Sequence, residues 1–321
     1  MLLLIYALLA VTVIFLSIKA ANYVDLLDKK THLSGAFIGG VLLAAVTSLP
    51  ELFTSISATV FIGNPNLAMG NILGSNLFNL TVIALLIIIA IQGFDTARLS
   101  KSHLYTNVCV LGMYLVIALS LVLPIDIEIL SVSIISIIIA VLYVAGLKGM
   151  ADAPPEESDK EDDHHLTVKQ VILRFVLSSI ALIITSILVT YVADRIAAIY
   201  HLGAGLVGAV FLGVATSLPE LTSCIALVKA NNFNMTVGNI AGSNLFNFII
   251  LVLADVLYIP SSVYIFTDKG TFSLLVFGLV ATLLMSFILF LKTARKKFKK
   301  MTPVYVTCCF GIILCYIAFL L

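Results

Sequence analysis

Residues 47–52 read TSLPEL, and residues 216–221 read the same six letters 169 positions later. A second motif follows each copy. Residues 70–79 read GNILGSNLFN, and residues 238–247 read GNIAGSNLFN, 168 positions later. Two long motifs that recur together at a nearly constant offset predict that the chain is an internal repeat of two similar halves.

The composition around these motifs is that of a membrane protein. Of 321 residues, 61% are apolar and 11% are charged, with mean hydropathy +1.16 and net charge +1. A soluble domain carries about 25% charged residues, so a soluble enzyme, a disordered chain and a nucleic-acid-binding protein are excluded. Apolar runs such as Leu80–Ile91 and Ile134–Val144 lack the alternation of a membrane β-barrel and therefore indicate helices.

The apolar runs predict an all-α polytopic membrane protein with ten transmembrane helices, each long enough to cross about 30 Å of hydrocarbon. The first run starts at Met1 and is expected to be a membrane helix rather than a cleaved signal peptide. The domains we predict are a first five-helix repeat at 1–147, an acidic linker at 148–168 and a second five-helix repeat at 169–321. The ten approximate spans are 2–22, 34–61, 67–93, 102–123, 126–147, 169–193, 203–229, 235–259, 271–292 and 303–321.

The basic residues predict the orientation of these spans. With ten spans, 16 of the 18 Lys and Arg residues fall on one side of the membrane. Because basic loops stay in the cytoplasm, both termini are expected outside and the 148–168 linker inside, in the plasma membrane. Five spans per half is an odd number, so the two halves are expected to be inverted relative to each other. The charged composition of the linker indicates a solvated connection between the two halves. A regulatory cation site with His164 and His165 as ligands is the alternative.

Glu51 and Glu220 are the only charged residues far from both ends of any predicted span. A charge at that depth costs several kcal/mol unless something compensates it. Helical spacings of three and four residues gather hydroxyl and amide oxygens beside or near each glutamate, and such hard oxygens suit Ca²⁺ or Na⁺. The candidate side-chain ligands are Thr47, Ser48, Glu51, Ser75, Asn79, Thr216, Ser217, Glu220, Ser243 and Asn247.

Two prolines strengthen this prediction. Pro50 and Pro219 each remove the hydrogen bond to the carbonyl four residues before them, at Val46 and Ala215. Free carbonyls at membrane depth are tolerated where they line a cavity, and they can also bind cations. Less specific polar residues are expected to serve packing, to support the ligands or, for Asp255, to lie at the membrane interface: Asn71, Asn76, Asn239, Asn244 and Asp255.

At these motifs the chain resembles the cation/Ca²⁺ exchanger superfamily, in its sodium/calcium exchanger-like branch. The resemblance implies that helices two, three, seven and eight of the ten enclose the ions. It implies that Glu51 and Glu220 are the central Ca²⁺ carboxylates and that Ser75 and Ser243 bind Na⁺. It adds the backbone carbonyls of Ala44 and Gly213 as ligands.

The resemblance also shows departures. Some relatives carry an aspartate where this chain has Asn247. Proton-coupled relatives often carry a glutamate where this chain has Gly74 and Gly242, which weakens a proton-coupled interpretation.

The sequence therefore predicts an antiporter that exchanges Ca²⁺ for Na⁺ at one midplane site. It is not expected to be an enzyme, to bind a cofactor or nucleic acid, or to need an obligatory protein partner; its surroundings are the lipid bilayer. The nearest alternative is Ca²⁺/H⁺ or other cation exchange, in which the two glutamates take up protons. A cation channel is a further alternative, although an internal inverted repeat is typical of secondary transporters. No HExxH motif supports an intramembrane enzyme.

Overall fold

The computed structural model describes residues 1–31, 48–123, 127–129, 132–151, 166–229, 231–266, 268–294 and 301–321. The predicted ligands Ala44 and Thr47, and most of the predicted linker including His164 and His165, lie outside the described residues.

Among the described residues, the first half contains six helices and a pair of short strands. A π-helical turn, Ser57–Phe61, continues the second helix. The strands β1 (Glu128–Ile129) and β2 (Val132–Ser133) pair antiparallel, so the predicted helical span from 126 is wrong at its start. The helices are α1 (Leu2–Thr31), α2 (Leu49–Ile56), α3 (Pro65–Ile89), α4 (Ile91–Thr96), α5 (Lys101–Val122) and α6 (Ile134–Ala151).

In the part of the second half that the structure describes, there are seven helical segments. A second π-helical turn, Gly208–Gly213, joins two of them into one interrupted helix. The segments are α7 (Val168–Tyr200), α8 (Ala204–Val207), α9 (Val214–Thr216), α10 (Leu218–Lys229), α11 (Phe233–Leu257), α12 (Lys269–Thr293) and α13 (Thr302–Leu320).

Length and composition make this a multi-pass integral membrane protein. Among the described residues, six helices are long and apolar enough to cross a bilayer, and the bent pair Ala204–Thr216 with Leu218–Lys229 forms a seventh candidate. Three shorter apolar segments accompany them, Leu2–Leu16, Leu49–Phe61 and Ile134–Met150. The helical membrane class is confirmed, while the count of ten spans stays a prediction.

Helices α3 and α11 are the most buried of the long helices and lie together at the centre of the molecule. Each starts at an asparagine cap, because the Asn64 side chain accepts from Leu67 N and the Asn232 side chain accepts from Met235 N. These two caps are 168 positions apart, the same offset as the second motif. The central pair therefore begins at equivalent places in the two halves.

The first half of α3 lies against the π-helical turn Gly208–Gly213. The approach is close because Gly74 lacks a side chain: a Cβ atom there would lie 2.4 Å from the Cα atom of Ala209. On the periphery, α1 packs along α7, and α5 packs along α6. Helices α3 and α11, which carry the two copies of the second motif, are thus enclosed by the others.

Asp255 corrects one expectation. It is 2% exposed rather than at the interface. Its carboxylate accepts from the backbone N–H groups of Ser133 and Val263 and from the hydroxyl of Ser136. Such a fully satisfied buried carboxylate fastens β2 and the start of α6 to the end of α11.

Candidate cation site

Both TSLPEL motifs lie at helix starts. Helix α2 begins at Leu49 and α10 begins at Leu218, so each proline occupies a first turn, where its missing N–H breaks no hydrogen bond of the helix that it starts. In the second copy the chain bends by 47° between Thr216 and Leu218. Each glutamate therefore stands in a first helical turn, where the exposed N–H groups of the helix favour negative charge.

The two motifs meet through a reciprocal pair of hydrogen bonds. The Ser217 hydroxyl donates to Glu51 Oε1 at 3.0 Å, and the Ser48 hydroxyl donates to Glu220 Oε1 at 3.3 Å. All four side chains are completely buried. Since Ser48 and Ser217 hold equivalent positions in the two motifs, as do the two glutamates, each motif supplies a donor to the carboxylate of the other.

The break before α10 also meets α3. The Ser75 hydroxyl donates to the carbonyl of Gly213 at 3.2 Å, which joins two of the predicted ligands. The Thr216 hydroxyl donates to the carbonyl of Leu212 at 2.9 Å. It also lies 3.5 Å from Asn71 Oδ1, so this threonine contacts α3 as well.

The last asparagine of each copy of the second motif forms a hydrogen bond between the two central helices, α3 and α11. Asn79 Nδ2 donates to Asn244 Oδ1 at 2.9 Å, and Asn247 Nδ2 donates to Asn76 Oδ1 at 2.9 Å. All four residues are at most 1% exposed. The predicted ligands Asn79 and Asn247 thus lie between α3 and α11, in contact with residues that the sequence left to packing or support.

Several buried oxygens of the site have no hydrogen-bond partner in the part of the chain that the structure describes. They are Glu51 Oε2, Asn79 Oδ1, Asn247 Oδ1 and Ser243 Oγ. An unpaired buried polar atom costs about 1–3 kcal/mol. Carboxylate, amide and hydroxyl oxygens in such a state are a set that can coordinate a hard cation.

The predicted ligand residues that the structure describes are all buried, and for Ser243 the structure shows burial without a described hydrogen bond. They are Ser48, Glu51, Ser75, Asn79, Gly213, Thr216, Ser217, Glu220, Ser243 and Asn247. Among the described residues, no three His, Cys, Asp or Glu side chains gather as a metal cluster. The chemistry of this region therefore rests on two carboxylates and neutral oxygens.

Two polar residues that support the site, Thr54 and Ser55, were not predicted, and both bind Asn71, which was expected to serve packing or to support the ligands. Asn71 Nδ2 donates to Thr54 Oγ1 at 2.8 Å and to Ser55 Oγ at 2.9 Å, and these bonds tie α3 to α2. Thr54 and Ser55 follow Glu51 by three and four positions, so helical spacing places them on its face. That spacing was the available signal.

The family model described as sodium/calcium exchanger protein matches residues 1–147 and 170–321. The chain belongs to the sodium/calcium exchanger protein family. The resemblance seen in the two motifs is thereby confirmed, and it extends through both halves of the chain. This family is one of transporters rather than enzymes.

Similar proteins agree with membership of the sodium/calcium exchanger family. The inner membrane protein YrbG of Escherichia coli (strain K12) is 26% identical over 238 residues, covering 70% of this chain and 70% of YrbG. The crystal structure of the H⁺/Ca²⁺ exchanger CAX matches with TM-score 0.70 and 14% identity, covering 99% of this chain and 87% of CAX. The sodium-calcium exchanger NCX_Mj matches with TM-score 0.56 and 19% identity, covering 98% of this chain and 95% of NCX_Mj. These structures share the fold with this chain.

Proposed function

We propose that the protein is a secondary antiporter that exchanges Ca²⁺ for Na⁺ by alternating access. Its site is formed by Glu51 and Glu220 with the surrounding serine, threonine and asparagine oxygens. The proposal includes ten membrane helices in two inverted repeats, 1–147 and 169–321, joined by the 148–168 linker. Matched helix starts, caps and cross-bonds in the two halves support the inverted repeat.

The reciprocal Glu–Ser pair is the observation that carries the proposal. It brings two buried carboxylates from distant parts of the chain into one polar cluster, together with oxygens that lack described partners. Uncompensated, two buried negative charges are strongly unfavourable. A bound cation would pair the open oxygens and neutralise the carboxylates.

The charge of the site explains exchange rather than uniport. Two ionised glutamates give a charge of about −2, which one Ca²⁺ or two Na⁺ would neutralise. If the protein changes between outward and inward access only when this charge is compensated, one ion load must replace the other before the site returns. Coupled exchange follows from that condition.

The packing around Gly74 favours Na⁺ over H⁺ as the coupling ion. Proton-coupled relatives often carry a glutamate at this position, but here a Cβ atom would lie 2.4 Å from Ala209 Cα. No larger side chain fits without moving the backbone of α3 or of the Gly208–Gly213 turn. This chain therefore leaves proton uptake to the two central glutamates.

Ca²⁺/H⁺ exchange is the second candidate. The fold match to the H⁺/Ca²⁺ exchanger CAX, with TM-score 0.70, keeps it in consideration. In that case Glu51 and Glu220 would take up protons as Ca²⁺ leaves. A channel is disfavoured, and single-channel currents far above carrier rates would reverse that choice.

The proposal is tested with purified protein in proteoliposomes. Ca²⁺ uptake is measured while Na⁺, K⁺ and H⁺ gradients are imposed one at a time. We expect uptake to follow the Na⁺ gradient; uptake that follows only the pH gradient would select the second candidate instead.

Glu51→Gln is the decisive variant. Loss of its charge should reduce Na⁺-driven Ca²⁺ uptake by well over tenfold, because a rate loss of that size needs only about 1.4 kcal/mol. Glu128→Gln makes the same chemical change in strand β1, which is not one of the helices that carry the motifs, and should transport like the wild type. Full uptake by Glu51→Gln would show that the proposed site is wrong.

A further inference from the structure

We propose that Asn76 and Asn244 are positioning residues that fix which end of the Asn79 and Asn247 amides faces the cation. We call these four residues the asparagine clasp. This inference rests on the proposed function, because the orientation of an amide matters only if its oxygen binds an ion.

The clasp has two arms that join α3 to α11. In one arm Asn79 Nδ2 donates to Asn244 Oδ1 at 2.9 Å, and in the other Asn247 Nδ2 donates to Asn76 Oδ1 at 2.9 Å. Each arm therefore combines a predicted ligand with an asparagine three positions before the other ligand. None of the four side chains is more than 1% exposed, so water cannot replace these bonds easily.

The backbone sets the direction of the first arm. Asn244 Nδ2 donates to the backbone carbonyl of Asn76 at 3.3 Å. If the Asn244 amide turned over, its oxygen would face that carbonyl oxygen, which offers no proton. Asn244 must therefore present its oxygen to Asn79, and Asn79 must donate a hydrogen bond from its NH₂ group.

An amide whose NH₂ group is held has its oxygen on the opposite side. Asn79 Oδ1 and Asn247 Oδ1 are both buried and have no hydrogen-bond partner among the described residues. Holding the amides this way leaves two oxygens available to a cation. Without the clasp, either amide could turn its NH₂ group inward, and that group repels a cation.

The clasp also explains why neutral side chains occupy positions 79 and 247. An ionised aspartate at 79 would set an oxygen against Asn244 Oδ1, with no proton between them. Because the clasp favours amides, the negative charge of the site comes from Glu51 and Glu220. The clasp is thus a determinant of the charge of the ion load.

The test compares two substitutions at one position. Asn244→Leu keeps a similar volume but removes the oxygen that accepts from Asn79. Asn244→Asp retains an accepting oxygen, and its protonated form can also donate to the Asn76 carbonyl. We expect the KM for Ca²⁺ in proteoliposome exchange to rise about tenfold or more for Asn244→Leu and to stay within about threefold of wild type for Asn244→Asp.

Thr81→Val is the matched control on α3. The Thr81 hydroxyl donates to the Leu77 carbonyl of its own helix, outside the clasp, so the KM should not change. If Asn244 served only packing, leucine would alter the folded yield but not the KM of the folded protein. An unchanged KM for Asn244→Leu, or equal impairment of both variants, would overturn the clasp.

Asn76→Leu tests the second arm of the clasp, and transport by the wild-type protein separates failure of the clasp from failure of the proposed function. If Asn244→Leu does not fold, Asn76→Leu, which removes the partner of Asn247, is measured with the same expected rise in KM and the same refuting result. Wild-type protein without Ca²⁺ uptake under any gradient would refute the proposed function. Wild-type transport combined with an unchanged KM in the leucine variant would refute the clasp alone.

Discussion

At the scale of single residues, each glutamate of the candidate site depends on a serine from the other half of the chain. Ser217 donates to Glu51, and Ser48 donates to Glu220. A hydrogen bond to a charged group contributes about 1.5–3 kcal/mol, so each carboxylate is partly compensated before any ion binds. Each copy of the motif thus supplies one carboxylate and one hydroxyl donor, and the donor stabilises the carboxylate of the other copy.

The two halves differ in the hydrogen bonds that Asn71 and its equivalent Asn239 form. In the first half Asn71 donates to the Ser55 hydroxyl at 2.9 Å, whereas in the second half Asn239 donates to Cys224 Sγ at 3.7 Å. Sulfur is a weak acceptor, so the second contact is the poorer hydrogen bond. This hydrogen bond between α10 and α11 is therefore weaker than its equivalent between α2 and α3.

This difference predicts the effect of Cys224→Ser. A hydroxyl at 224 can accept from Asn239 at normal strength, so the free energy of unfolding should rise by about 0.5–1 kcal/mol. The measurement is the thermal unfolding midpoint in detergent, which should increase. The reverse change, Ser55→Cys, should lower the midpoint, and a midpoint that moves in the same direction for both variants would contradict the explanation.

At the scale of elements, helix interruptions place the ligands. Pro50 and Pro219 stand in first helical turns, and the π-helical turn Gly208–Gly213 leads into the 47° bend before α10. Interrupted helices expose backbone groups that a continuous helix would satisfy internally. The close fit of that turn against α3 is what brings Ser75 to the Gly213 carbonyl.

The fit predicts that Gly74→Ala is harmful. The new Cβ atom would lie 2.4 Å from Ala209 Cα, and such overpacking typically costs about 1–3 kcal/mol. We expect a lower thermal midpoint and weaker Ca²⁺ uptake.

Gly112→Ala on α5 is the matched control for this prediction. Its Cβ atom would lie 3.4 Å from Leu142 Cδ1, an ordinary contact with a flexible side chain. Because alanine favours a helix by about 1 kcal/mol over glycine, this variant should be as stable as the wild type or more stable. Equal midpoints for the two alanine variants would show that the α3 contact is not tight.

At the scale of the whole molecule, the proposed number of membrane spans predicts on which side of the membrane each terminus and the linker lie. Ten spans place both termini on one side, and five spans place the 148–168 linker on the other. The distribution of Lys and Arg residues predicts that the linker lies in the cytoplasm. Inversion of the halves depends on these odd and even counts.

We expect a protease site inserted in the 148–168 linker to be cut only from the cytoplasmic face of sealed vesicles. A site added after Leu321 should be cut only from the opposite face. The measurement is fragment size after protease treatment of right-side-out and inside-out vesicles. Cleavage of both sites from the same face would contradict five spans per half.

Much of the fold was predictable because hydrophobicity and helical periodicity are local properties. The predicted spans 67–93, 102–123 and 235–259 correspond closely to α3, α5 and α11. The pairing of β1 with β2 was missed because their apolar residues look like the start of a helix, and because Asp255, which accepts from Ser133 N, lies far away in the sequence. The burial of Asp255 itself could not be read from its place near a span end.

The sequence by itself determined that this is a helical membrane protein with a duplicated motif and two glutamates far from the ends of any predicted span. Charge is expensive in a membrane, so the few mid-span charges mark the candidate site without any knowledge of packing. Only the tertiary structure decided that Ser217 faces Glu51 and that Asn79 meets Asn244. Such contacts join residues about 165 positions apart, and they depend on how whole helices pack, which no local pattern of the chain encodes.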